Sequence, residues 1–214
     1  MEKQTNSDSQ KNSDMTFELE IQIIGIEPTI WRRVVVDSSI TLDELHSVIQ
    51  GAMGWEDRHL HSFEIAGQQY EIPESDEIGL EADCLDERQH TLGDLIGEGG
   101  EFIYLYDFGD RWHHNIEAKS VTLARTDPFP SCIAGARACP PEDCGGIYRY
   151  SDFVQHITRP QHPAHNDAKA WAPTWEPEVF SVTQANSLVA ALYTWCLERK
   201  GKRHPPSSIR EMSQ

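Results

Sequence analysis

The segment from Tyr106 to His114 combines residue types that could do acid–base or metal chemistry. If its two halves form a hairpin across Gly109-Asp110, Asp107 or Asp110 could face His114. A carboxylate beside an imidazole can form a general base, or it can orient a metal-binding histidine. The structural alternative is that an aspartate caps the backbone amides of the turn while the aromatic side chains fill the core.

His59 and His61 form a second candidate, because residues two apart in a strand share one face and both imidazoles could reach one ion. Histidines at such junctions can instead hydrogen-bond to the backbone. If the two segments are adjacent, they predict a site for zinc or another divalent metal. The candidate ligands are His59, His61, Asp107, Asp110 and His114.

Three cysteines, Cys132, Cys139 and Cys144, lie in a stretch rich in proline and glycine. They could hold a structural zinc ion, completed by His162 or His165. Their intervals of six and four residues differ from the paired C-x-x-C of a zinc ribbon, so the alternative is a rigid loop with free thiols.

A further group of aromatic and charged residues could form a surface for a ligand or a partner. Trp31 and Arg32 could offer a cation–π or anion-binding face, or Trp31 could simply pack while an arginine pairs with acidic side chains. The candidate surface residues are Trp31, Arg32, Trp55, Trp112, Glu142 and Asp143.

The elements that must position these residues begin at Phe17, where apolar and polar residues alternate and predict a strand. A second strand over 30–37 predicts a hairpin with the first. Thr41 and Glu44 form a capping-box pattern that starts a helix ending near Gly54.

Beyond residue 60 the patterns predict two more hairpins and three more helices. The strands are expected at 61–65, 69–72, 102–108 and 112–123, and the helices at 91–96, 147–157 and 183–199. Residues 126–146 are expected to form an irregular loop, and residues 159–177 to wrap the surface. We therefore predict an α+β fold with a mainly antiparallel sheet, an early ββα unit similar by analogy to a β-grasp fold, and packed C-terminal helices.

The expected organisation is one domain over 15–200 between a disordered tail (1–14) and a frayed basic tail (201–214). An acidic loop is expected over 71–90, since residues 71–87 hold eight acidic and no basic side chains. A calcium loop is the alternative, but the spacing of an EF-hand is absent.

Composition limits the function classes. The 214 residues carry 35 acidic and 18 basic side chains, a net charge of -17, and 55–101 alone holds fourteen acidic and two basic residues. This charge disfavours nucleic-acid binding, except through a basic patch at Lys200, Lys202, Arg203 and Arg210. The sequence contains neither an apolar stretch of about 18 residues nor an apolar signal core. With five cysteines, we expect a cytoplasmic protein with reduced thiols and no membrane association.

Several motifs occur together in a characteristic order. They are Ile30-Trp31-Arg32-Arg33, residues 42–46, Met53-Gly54-Trp55, residues 59–63, residues 106–114, residues 139–146 and residues 175–180, with Glu176 where Asp is expected. This ordered set resembles the plasmid pRiA4b ORF-3-like family, whose members are also labelled insertion-element passenger or TnpR-type proteins. The resemblance implies a compact α+β domain associated with mobile genetic elements, and it implies no particular reaction. A serine-recombinase nucleophile segment and a basic helix-turn-helix are absent from the sequence.

The residues support three functional hypotheses. The preferred one is a non-enzymatic binding or accessory module that recognises a protein or a small ligand, because a complete catalytic set is absent while aromatic-rich segments could line a groove. The first alternative is a metal-dependent hydrolase that uses the His/Asp cluster. The second alternative is an accessory protein of DNA transactions.

Overall fold

The computed structural model describes residues 15–73, 84–122 and 129–199, together with residues 205, 207–210 and 212. Its strands are β1 (Thr16–Ile23), β2 (Trp31–Asp37), β3 (His61–Ile65), β4 (Gln68–Glu71), β5 (Cys84–Asp86), β6 (Gly99–Tyr106), β7 (Trp112–Val121) and β8 (Ser131–Ala136). They form one sheet in the order β5-β4-β3-β6-β7-β1-β2-β8. The β4–β5 pair is parallel and the other neighbouring pairs are antiparallel. The predicted α+β class with a mainly antiparallel sheet is therefore confirmed.

The alternation at the start of the chain produces the β1–β2 hairpin, which lies towards the β8 edge of the sheet. Phe17 pairs with Val36 and Gln22 with Trp31, so β1 and β2 are antiparallel neighbours, as predicted. The apolar residues of β1 are fully buried, including Leu19 and Ile21. β1 also pairs with β7 along its whole length, which brings the first strand beside the histidine-bearing one.

The helices are α1 (Leu42–Met53), α2 (Leu92–Ile96), α3 (Gly146–Thr158), α4 (His165–Trp171), α5 (Val182–Glu198) and α6 (Ser207–Arg210), and a 3-10 turn spans Glu87–Gln89. The predicted capping box forms: the backbone N–H of Thr41 donates to the carboxylate of Glu44 at 3.2 Å. The helix α1 ends where Gly54 adopts a φ of 97°.

The helices α1 and α5 pack against each other at a glycine. A Cβ atom on Gly51 would lie 2.6 Å from the backbone N and Cα atoms of Val189, so a larger residue would force the helices apart. Val48 and Ile49 of α1 are completely buried and belong to the same apolar cluster as the strand residues. The C-terminal end of α1 is thereby fixed relative to α5.

Three segments differ from the predictions. β8 lies within the expected loop 126–146, β5 and the 3-10 turn lie within the expected acidic loop 71–90, and α4 interrupts the segment 159–177. β8 and β5 are short, and each takes its strand conformation by pairing with an existing edge, β2 and β4 respectively. The predicted N-terminal tail 1–14, the middle of the acidic loop (74–83) and much of the basic tail lie outside the described residues.

Candidate functional site

A groove of about 620 Å³ lies between the C-terminal end of α1, the loop 138–143 and the segment that joins α4 to α5. Its lining combines apolar and acidic side chains. The apolar ones include Met53, Trp171, Trp175, Val179 and Phe180, and the carboxylates are Glu56, Glu142, Asp143 and Glu176. A concave surface with apolar walls and a few polar groups is typical of ligand sites.

Glu142 is a carboxylate of the groove that two hydrogen bonds hold in place. Its Oε1 accepts a hydrogen bond from the backbone N–H of Glu56 at 2.7 Å and another from the hydroxyl of Tyr106 at 2.8 Å. Burial raises the pKa of Glu142 above its ordinary value. Its second oxygen, Oε2, points towards His59, 3.7 Å from the imidazole Nε2.

His59 lies at the centre of a carboxylate cluster. Its Nε2 is 3.6 Å from Oδ2 of Asp107 and 3.2 Å from Oδ1 of Asp143. The ligand atoms of these three residues all lie within 4.8 Å of one another, so together they could hold a metal ion. Asp107 is oriented by the turn, because its Oδ1 accepts the backbone N–H groups of Gly109 and Asp110 at 2.8 and 3.2 Å. Asp107 therefore caps the backbone amides of the turn, as the structural alternative predicted. Its other oxygen, Oδ2, faces His59.

The other predicted metal ligands do not join this cluster. His61 donates from Nε2 to the Glu87 carboxylate at 3.0 Å, and the carboxylate of Asp110 accepts the Gly145 N–H at 2.9 Å. His114 is completely buried, with Nδ1 3.3 Å from the carbonyl oxygen of Tyr104. β3 starts at His61, so His59 precedes the strand, and the shared strand face assumed for the two histidines does not exist. The predicted convergence of five ligands is thus corrected to His59 and Asp107 with Asp143.

His61 belongs to a buried polar network that the sequence reasoning missed. Its ring stacks on that of His46, with centroids 3.5 Å apart and planes 6° from parallel. Gln50 donates to the Tyr104 hydroxyl at 2.9 Å, so that hydroxyl can donate to Nδ1 of His46 at 2.8 Å. The remaining proton of a neutral His46 then lies on Nε2, 3.1 Å from Oδ1 of Asp57.

Burial and nearby charges shift the pKa values of the two stacked histidines in opposite directions. Burial, with the nearby His61, lowers the pKa of His46. Burial also lowers the pKa of His61, but the Glu87 carboxylate outweighs it, so the net shift is upward. Tyr104 keeps its proton because burial raises its pKa well above the ordinary value. The burial of His46 could have been predicted, because this residue lies on the apolar stripe of α1. The burial of Glu87 could not, because nothing in the sequence distinguishes it from the other acidic residues of 71–87.

Among the described residues, the three loop cysteines are not gathered into a metal-binding group. All the described cysteines are free, and the described residues contain no metal-binding group that includes a cysteine. Burial raises the pKa of Cys139 and Cys144, the latter to about 12, which keeps both thiols protonated. His162 stacks on His156, and Nδ1 of His165 lies 3.0 Å from the carbonyl oxygen of His156. The alternative of a loop with free thiols fits this arrangement.

The predicted ligand surface is divided between the core and the groove. Trp55 and Trp112 are buried, with ring centroids 5.7 Å apart, so their assignment to a surface is corrected. Arg32 is also buried, and its guanidinium donates to backbone carbonyls of α1, β2 and the β8 end. Trp31 is half-buried, below the guanidinium of Arg33. Glu142 and Asp143 line the groove.

The basic patch expected at the C-terminus lies almost entirely outside the described residues. Lys200, Lys202 and Arg203 are among the residues without a description, and Arg210 ends the short helix α6. Among the described residues, no helix combines the length and the apolar character that crossing a membrane requires.

Comparisons with known proteins agree with the fold and the motifs. The model of the family described as "Plasmid pRiA4b ORF-3-like protein" matches residues 15–184. The chain is 33% identical over 190 residues to the uncharacterized protein y4hQ of Sinorhizobium fredii, covering 86% of this chain and 95% of that protein. A crystal structure of a protein of unknown function, MM3350 from Methanosarcina mazei Go1, has a TM-score of 0.69 and 30% identity, covering 79% of this chain and 96% of that one. The chain therefore belongs to the plasmid pRiA4b ORF-3-like family.

Proposed function

We propose that this protein is a non-enzymatic binding module whose groove takes a ligand with an apolar body and a positively charged group. The observation that supports this proposal is the groove itself, where aromatic walls adjoin a cluster of carboxylates. Such a ligand could be a free amine or a basic side chain of a peptide, since both present the same chemistry.

The apolar part of the groove contains side chains that remain exposed to water. Trp171 is 50% exposed and Val179 62% exposed, and both line the groove. A ligand that covers them removes apolar surface from water, at about 25 cal/mol for each Å². Trp171 is held in place by an edge-to-face contact with Phe153, whose ring centroid is 5.2 Å away.

The charges of the groove favour a cation. Its two guanidinium groups are already engaged: Arg58 donates to the Glu56 carboxylate at 2.8 Å, and Arg32 donates to backbone carbonyls. Glu142 and Asp143 add negative charge beside this pair, and Asp143 has a side chain that is 60% exposed. A positively charged ligand would therefore gain electrostatic attraction at the carboxylate cluster.

The test compares two probes of the same shape, 2-phenylethylamine and 2-phenylethanol, by isothermal titration calorimetry on the full chain. We expect the amine to bind about tenfold more tightly, because a charge-assisted hydrogen bond contributes roughly 1.5–3 kcal/mol. Equal affinities, tighter binding of the alcohol, or no binding of either probe would contradict the proposal.

A further inference from the structure

We propose that His59, Asp107 and Asp143 bind a divalent metal ion of the zinc type beside the groove. Nε2 of His59 is shielded from solvent and has no hydrogen-bond partner among the described residues. Carboxylate oxygens nevertheless surround it, at 3.2 Å from Asp143 and 3.6 Å from Asp107. Two carboxylate oxygens thus lie close to this nitrogen, and neither forms a hydrogen bond with it.

The spacing of these atoms matches coordination. Nitrogen and oxygen ligands lie about 2.0–2.2 Å from zinc, so two ligand atoms of a tetrahedral site are about 3.4 Å apart. The separations of 3.2 and 3.6 Å lie on either side of that value. Hydrogen bonds between an imidazole and a carboxylate are shorter, at about 2.7–2.9 Å when charge-assisted.

Asp107 is anchored as metal ligands usually are. Asp107 uses Oδ1 to accept two backbone N–H groups, which leaves Oδ2 directed at His59. The neighbouring Glu142 is held through Oε1 by Tyr106, with Oε2 on the His59 side. Three protein ligands with a carboxylate nearby leave one coordination position for water or a ligand.

The local charge also favours a divalent ion. The carboxylates of Asp107, Glu142 and Asp143 meet around His59, whereas Arg58 donates to the carboxylate of Glu56. A protonated His59 would add a single positive charge, whereas a divalent ion would add two. One nitrogen and two carboxylate oxygens suit zinc, manganese or iron.

The position of the ion would connect it to the groove, because Asp143 and Glu142 belong to both. A bound ion could lower the pKa of a coordinated water, which is what the metal-dependent hydrolase alternative requires. Two of the three proposed ligands, His59 and Asp107, lie outside the groove lining, so the ion does not require a ligand in the groove.

The test is calorimetric titration of Zn²⁺, and then of Mn²⁺, into tag-free full-length protein that has been dialysed against a chelator. We expect one equivalent of at least one of these ions to bind. His59→Ala and Asp143→Asn should each weaken its affinity tenfold or more. His113→Ala is the matched control and should bind normally, because the ring of His113 contacts the carbonyl of Arg111 instead.

If neither ion binds at close to one equivalent, the proposal is overturned and the cluster is a metal-free group of ion pairs. Unchanged affinity in Asp143→Asn would also overturn it. This variant keeps the test valid if His59→Ala fails to fold, because the Asp143 side chain is largely exposed. Because Asp143 belongs to both sites, 2-phenylethylamine is titrated into chelator-treated protein without metal and the ions are titrated without amine, so one proposal can fail while the other holds.

Discussion

His114 is a histidine that the fold keeps neutral. Burial lowers its pKa to about 4, outweighing the hydrogen bonds that it makes to the backbone. Its Nε2 lacks a hydrogen-bond partner among the described residues. In the unfolded chain the same imidazole has a pKa of about 6.5, so the unfolded state binds a proton more readily between pH 6.5 and pH 4. Folding stability should therefore fall as the pH drops through that window.

We predict that His114→Leu removes this part of the acid sensitivity. The wild-type free energy of unfolding should include a loss of about 2 kcal/mol from His114 between pH 7 and pH 5, which the variant lacks. Urea unfolding at the two pH values measures the difference, with His113→Leu as the control. An identical loss in wild type and His114→Leu would contradict the assignment of His114 as a buried neutral group.

At the scale of single residues, the sequence showed which side chains could do chemistry but not which would be buried. The sequence suggested that His59 and Asp107 could be neighbours, and these side chains lie 3.6 Å apart. It also grouped His114 with them, because residue type alone does not reveal burial. Asp143 joins His59 through contacts between residues more than 80 positions apart. Neither the period of a strand nor that of a helix can predict such a contact.

Among the secondary-structure elements, Arg32 connects β2 to its neighbours. Its Nε donates to the carbonyl of Ala52 in α1 at 2.8 Å, and its terminal nitrogens donate to Ala136 at 2.9 Å and Arg137 at 2.8 Å. The ring of Phe180 lies 4.0 Å from the guanidinium carbon. The planar guanidinium thus ties α1, β2 and the end of β8 together beneath the groove.

We predict that Arg32→Lys destabilises the fold by roughly 2–4 kcal/mol, because an ammonium group cannot reach all of these carbonyls and leaves buried acceptors unpaired. Arg33→Lys is the matched control: Arg33 pairs with Glu18 and Glu20 at the partly exposed surface, and should change stability by about 1 kcal/mol or less. Urea denaturation of both variants at pH 7 makes the comparison. Equal effects of the two substitutions would show that the carbonyl contacts do not matter.

An element can be predicted from the sequence when its own residues favour its conformation, and it cannot when the conformation depends on pairing with another strand. β1, β2 and α1 carry their own signals, namely alternation, β-branched residues and a capping box, and these elements were predicted. β8 follows from pairing with β2 at an edge, with a register shift between Arg33 and Val34. Its sequence, Ser131–Ala136, has small residues and no regular alternation, so a loop was the natural prediction.

For the whole molecule, the groove brings together segments that are far apart in the chain. α1 supplies Met53, the loop after β8 supplies Glu142, and the segment between α4 and α5 supplies Trp175. In the sequence, each of these segments has only the pattern of a core-packing helix or of a loop. The sequence predicted aromatic-rich segments and an acidic surplus, but their meeting in one groove depends on the packing of α1 against α5.

The most direct test of the central proposal locates the binding of 2-phenylethylamine on the molecule by calorimetry with two aromatic variants. Trp171→Ala removes an aromatic wall of the groove, while Tyr148→Ala removes an aromatic ring that is 87% exposed and outside the groove lining. Circular dichroism should first confirm that both variants are folded. The groove account predicts at least fivefold weaker binding in Trp171→Ala and unchanged binding in Tyr148→Ala, because loss of an aromatic wall removes about 1 kcal/mol or more. Unchanged affinity in Trp171→Ala would contradict the account.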